Sequence, residues 1–118
     1  MDISGRHEEG GEYLMVAAAV HARIDSARIR SVEGIGFAAA REGPTLEATV
    51  ALAAEAVGAL PTPPDGPIVA EGGEFYEEPA ERVGLSFQPD FKYVESIGER
   101  ETVQAAHHAA YAARDLLR

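Results

Sequence analysis

The chain contains no cysteine and no tryptophan, and lysine occurs once, at Lys92. Without cysteine, disulfides, thiolate metal sites and a cysteine nucleophile are excluded together. Aromatic residues make up only 7%, so the interior must be built from Ala, Val, Leu and Ile, which a hydrophobic content of 46% permits. No apolar run approaches the ~20 residues that cross a bilayer, so no membrane partner is expected. The opening MDISGRHEEGGEY is polar and acidic and lacks the pattern of a secretory signal, which makes the cytoplasm the expected compartment. Bases are scarce too, 10 against 20 acids, for a net charge of −10. An acidic, lysine-poor, alanine-rich composition fits a high-salt cytoplasm or a GC-rich genome. It opposes broad attraction to nucleic acid, whose affinity rests largely on basic residues at phosphates.

What is present fits one compact domain over residues 1–118. Met1–Arg6 suggests a short strand entering a Gly turn, and the Gly-rich Glu8–Glu12 suggests a hairpin connection. Tyr13–Val20, YLMVAAAV, is a continuous apolar run of strand length, followed by a second connection at His21–Asp25. Arg28–Phe37 alternates, with Ile29, Ser31, Glu33, Ile35 and Phe37 on one face and Arg28 and Arg30 on the other. Gly34 and Gly36 weaken that strand or mark a bulge. Three strands with short turns make an antiparallel meander.

The longest helical signal in the first half is Thr45–Leu60, where Leu46, Val50, Ala53, Val57 and Leu60 step by four and three residues. The loop PTPPDGP stops it, and Ile68–Ala70 is a short buried strand. A helical crossover of this kind adds a parallel strand. After an acidic stretch, Glu71–Glu81, a helical turn follows Glu78 and Pro79. Leu85–Val94 reads as a last edge strand, or as two halves around Pro89 and Asp90. Ser96–Leu117 is a terminal helix with Glu99, Val103, Ala106, Ala110, Ala113 and Leu117 on one stripe. The expected fold is α/β: a mixed sheet of three antiparallel strands followed by parallel strands, flanked by helices.

Three local matches resemble the ribonuclease H-like fold. Asp2 with Ser4-Gly5 is similar to the opening of its first strand. Thr45-Leu46-Glu47 is similar to the start of its first helix, and Pro67–Gly72, PIVAEG, to its fourth strand, which ends in an acid. The segments DISGR and VAAAV also resemble type 2 ribonuclease H, although Ile3 stands where a Glu follows the Asp there. Asp2 also has only Met1 before it, and Glu71 stands where Asp is usual. A small uncharacterised archaeal family of this fold is a further resemblance. The resemblance implies a divalent-metal-dependent nuclease with Asp2, Glu47 and Glu71 as carboxylate ligands of Mg2+ or Mn2+. Either Glu99 or Glu101 of the terminal helix would be the fourth acid, and nucleic acid the partner. A non-catalytic module of the same fold, acting in protein association or as a homodimer, is the competing expectation.

Each acid also has a plainer reading. Asp2 can be a solvated terminal residue, Glu71 a loop acid, and Glu47, Glu99 and Glu101 can simply favour a helix dipole. His107 borders the buried stripe and suits packing or hydrogen bonding; His108 suits a solvated face. His7 and His21 receive no role. No phosphate loop, GxGxxG turn, HExxH helix or legible Ser-His-Asp spacing is present.

Overall fold

The computed structural model describes residues 1–85, 87 and 90–118. Three strands form an antiparallel sheet in the order β1-β2-β3: β1 (Asp2–Ser4), β2 (Met15–Ile24) and β3 (Ile29–Ala40). The first connection turns at Gly10 and Gly11, both at positive φ, and is closed by a bridge between Glu9 and Glu12. Both long strands run further than hydrophobicity indicates. β2 continues through His21–Ile24, because the expected connection there is itself paired with β3.

The β2–β3 register shifts between His21 and Ala22 and again between Arg23 and Ile24. Two β3 residues, Glu33 and Arg30, are taken up as bulges. Simple alternation therefore fails. Val32 pairs with Ala22, which brings it onto the face of Ile35 and Phe37, and Ser31 pairs with Arg23 on the other; Ile29, opposite Ile24 beyond the second bulge, stays on the Ile35 and Phe37 face as alternation predicts.

Helix α1 (Leu46–Gly58) is capped by Thr45, whose hydroxyl accepts from Ala48 N at 3.1 Å. It buries Val50, Leu52, Ala53 and Ala56 against Met15, Ala17 and Ala19 of β2 and Ile3 of β1. A close approach to β3 is possible because Gly36 has no side chain: a Cβ there would run into Ala56 O and lie 2.9 Å from Leu60 N. Leu60 falls beyond the helix. Helix α2 (Ala80–Gly84) begins after Pro79, as the sequence indicated.

β4 (Ile68–Ala70) and β5 (Phe91–Tyr93) pair in parallel, but as a separate two-stranded sheet. The expected single mixed sheet is therefore divided. The Met1 amine donates to Val69 O at 2.8 Å, while Ile3 N, on β1, is taken by the Glu74 side chain at 2.9 Å. Among the described residues of Leu85–Val94, Phe91–Tyr93 forms the strand, and Leu85 is exposed. Pro89, about which two halves were expected, lies outside the described residues. Phe75, Phe87 and Phe91 form one cluster, with Phe87 and Phe91 stacked at 5.5 Å between centroids.

Helix α3 (Ile97–Leu117) lies on the opposite face of the three-stranded sheet from α1, with Ala106 and Ala110 on Ala18. Its stripe departs from expectation at the end, where Arg114 is buried and Leu117 is exposed. Among the described residues no helix is long and apolar enough to cross a membrane.

Candidate functional site

Side chains alternate along β1, so Met1 and Ile3 enter the core shared with α1 and Asp2 points to the α3 side. Asp2 is buried, and its Oδ2 lies 3.0 Å from His107 Nδ1. Beside it is Glu74, an acid that nothing in the sequence distinguishes from its neighbours in EGGEFYEE. Glu74 is buried and accepts from Ile3 N at 2.9 Å and from Arg6 Nη2 at 2.9 Å. Arg6 also donates to the Glu74 carbonyl at 2.7 Å. Burial, and then the negative charge of Asp2, push the Glu74 carboxyl up to about 7, with Arg6 opposing. Burial also pushes the Met1 amine down to about 6, against the pull of Glu74 and Asp2. The result is a closed polar cluster at the sheet edge, in which Arg6, His107 and a backbone amide surround two carboxyls.

The other acids stand elsewhere. Glu47 is exposed in the first turn of α1, which packs on the face of the sheet away from Asp2. Glu71, at the end of β4, pairs with Arg100 of α3 at 2.9 Å. Glu99 is buried in a capping box: its carboxylate accepts from Glu95 N and Ser96 N at 2.9 and 3.0 Å and pairs with Lys92 at 2.8 Å. Lys92 and those amides hold its pKa below the ordinary value in spite of burial. Glu101 accepts from Ile29 N at 3.1 Å, which fastens the start of β3 to α3. Among the described residues, no three His, Asp or Glu gather closely enough to hold a metal ion.

Two further features carry polar groups. Arg114 donates from Nε to Leu14 O at 2.7 Å and pairs with Glu9 at 3.3 Å, so a charged residue closes the first hairpin onto α3. A hollow of about 130 Å³ lies between the end of β2 and the proline-rich loop, lined in part by His21, Val57, Leu60, Pro64 and Ile68. The buried His21 Nδ1 has no partner among the described residues.

The class of protein so defined is a mixed α/β domain with a three-stranded antiparallel sheet, a two-stranded parallel sheet and a polar cluster at the edge of the first. The chain belongs to DUF2209, a family described as an uncharacterized protein conserved in archaea, which it matches over residues 1–118. It is similar to an uncharacterized protein of Methanocaldococcus jannaschii, 30% identical over 118 residues that cover 99% of this chain and 93% of the relative. No solved structure matches the chain.

Proposed function

We propose that this domain is a ribonuclease H-like module that acts in protein association and not in cleavage. The fold half of the reading is supported by strand order: β3-β2-β1, then β4 brought alongside Met1 by the bond to Val69 O, then β5 parallel to β4. The observation that carries the other half is how the acids are committed. Asp2 is held by His107, Glu71 by Arg100, Glu99 by its cap and Lys92, and Glu101 by a strand amide. Releasing them to a metal would break those contacts, and Glu47 lies across the sheet. These commitments support the association reading, and the net charge of −10, which adds repulsion toward phosphate, supports it further.

One observation favours the nuclease reading: Asp2 and Glu74 are buried carboxyls near enough for the charge of one to raise the pKa of the other, an arrangement that a divalent cation as well as a proton can relieve. The test is a panel of labelled RNA/DNA hybrid, four-way junction and single strands with Mg2+ or Mn2+, at low and at molar salt, with Asp2→Asn alongside. No cleavage above buffer is expected. Metal-dependent cleavage that disappears in Asp2→Asn overturns the association reading.

A further inference from the structure

A sheet edge is a row of unpaired N–H and C=O groups, and soluble proteins guard such edges with charges, prolines or bulges. β3 is an edge of the three-stranded sheet, and among the described residues its strand partner is β2. Its guards are all in the first half, where Arg30 and Glu33 are bulged. The second half, Gly34–Ala40, keeps a regular register with β2 and carries neither charge nor proline. The bulges have a second effect. They align Ile29, Val32, Ile35 and Phe37 in one row on the face where α3 packs on β2, and Val32, Ile35 and Phe37 are 52%, 43% and 45% exposed. A regular, uncharged edge flanked by an exposed apolar row is a pairing surface.

We propose that a second copy of this chain pairs antiparallel along Gly34–Ala40 of β3, extending the sheet across a twofold axis. This deepens the association reading and rests on it. The segment is complementary to itself when the axis passes through Phe37. Phe37 then faces its own counterpart, Ile35 faces Ala39, and Glu33 at the bulge faces Arg41, twice over. Arg41 is exposed and makes no ion pair among the described residues, and the Glu33 it would meet is an exposed acid that already pairs with Arg23 at 2.9 Å, so the two copies would share that charge. On the other face the facing residues are Gly34, Gly36, Ala38 and Ala40, small enough for each copy to keep α1 seated over Gly36. Two copies each bearing −10 repel at long range while the contact itself is apolar, so added salt screens the repulsion and tightens the pair.

A single introduced thiol reads the register directly, because the chain has no cysteine. Antiparallel partners lie about 4.5–5.5 Å apart at Cα, within disulfide reach. Phe37→Cys should therefore form a disulfide-linked dimer on mild oxidation. Ile35→Cys should not, since its counterpart lies opposite position 39, about four residues along the partner strand. In sedimentation the parent chain should have twice the 12.5 kDa mass of one copy, more completely at molar than at low salt. Phe37→Glu, at an exposed position, should be monomeric with an unchanged circular dichroism spectrum. A parent that stays monomeric at both salts, equal crosslinking by Ile35→Cys, or a Phe37→Glu variant that stays dimeric overturns the proposal. A monomer without nuclease activity overturns this pairing alone; metal-dependent cleavage overturns the association reading whatever the mass.

Discussion

Replacing Glu74 by Gln removes the proton that this side chain takes up on folding and keeps its shape. In the unfolded chain a Glu carboxyl ionises near 4.5; in the folded protein, burial and Asp2 push this one up to about 7. Between those values the folded state binds the extra proton, so this group's contribution to stability falls as pH rises. The interval, at ~1.36 kcal/mol per pH unit, amounts to about 3 kcal/mol. Gln mimics the neutral acid: its carbonyl can accept from Ile3 N and Arg6 as the carboxyl does. Glu74→Gln should accordingly match the parent at pH 4.5 and exceed its stability by up to about 3 kcal/mol at pH 8. Urea unfolding of both proteins at several pH values measures this, and groups common to both largely drop out of the difference. A stability difference that stays flat between pH 4.5 and pH 8 would refute the reasoning, because the carboxyl would then ionise at its ordinary pH in both states.

Further substitutions test the packing. Gly36→Ala drives a Cβ into the α1 backbone at Ala56 and Leu60, where no side chain can yield. It should lose roughly 3 kcal/mol, seen as a fall on the order of 10 °C in thermal midpoint. Gly58→Ala, with open space around the new methyl, should instead gain about 0.5–1 kcal/mol. Ser96→Ala removes the hydroxyl that accepts from Glu99 N at 3.1 Å and should cost about 1 kcal/mol by chemical denaturation. Arg114→Ala leaves the Leu14 carbonyl buried without its donor and should lose about 2 kcal/mol, whereas Arg118→Ala, at an exposed ion pair, should leave the thermal midpoint of the parent unchanged.

Much of the fold was legible because local signals and packing agree. The four-and-three stripe of α1, the Pro-rich stop that follows it and the start of the terminal helix at Ser96 are local signals that the structure keeps. β3 was legible as a half-exposed strand, but the face of Val32 was not. A bulge is set by the partner strand, and periodicity within one strand cannot register it. The division into two sheets was likewise invisible, since it turns on Glu74 occupying the Ile3 amide, a contact across 71 residues of sequence. The candidate acids were easy to find and hard to assign. Asp2 stood out by position, yet its neighbours Glu74 and Arg6 carry no signal beyond charge. Glu99 was noticed for sitting on an apolar stripe, and its burial reflects a cap and an ion pair with Lys92. Arg114 was missed because its buried guanidinium serves a carbonyl one hundred residues away.

The most direct test of the account is a thermal-unfolding titration with Mn2+ against matched monovalent salt, in the parent and in Asp2→Asn. Any site that binds metal in the folded state raises stability by about 2.7 kcal/mol at one hundred times its dissociation constant. With the acids already committed to His107, Arg100, Lys92 and backbone amides, the thermal midpoint should follow ionic strength alone and the two proteins should respond in parallel. A saturable rise with Mn2+ that Asp2→Asn abolishes would contradict the account and make Asp2 the centre of a metal site.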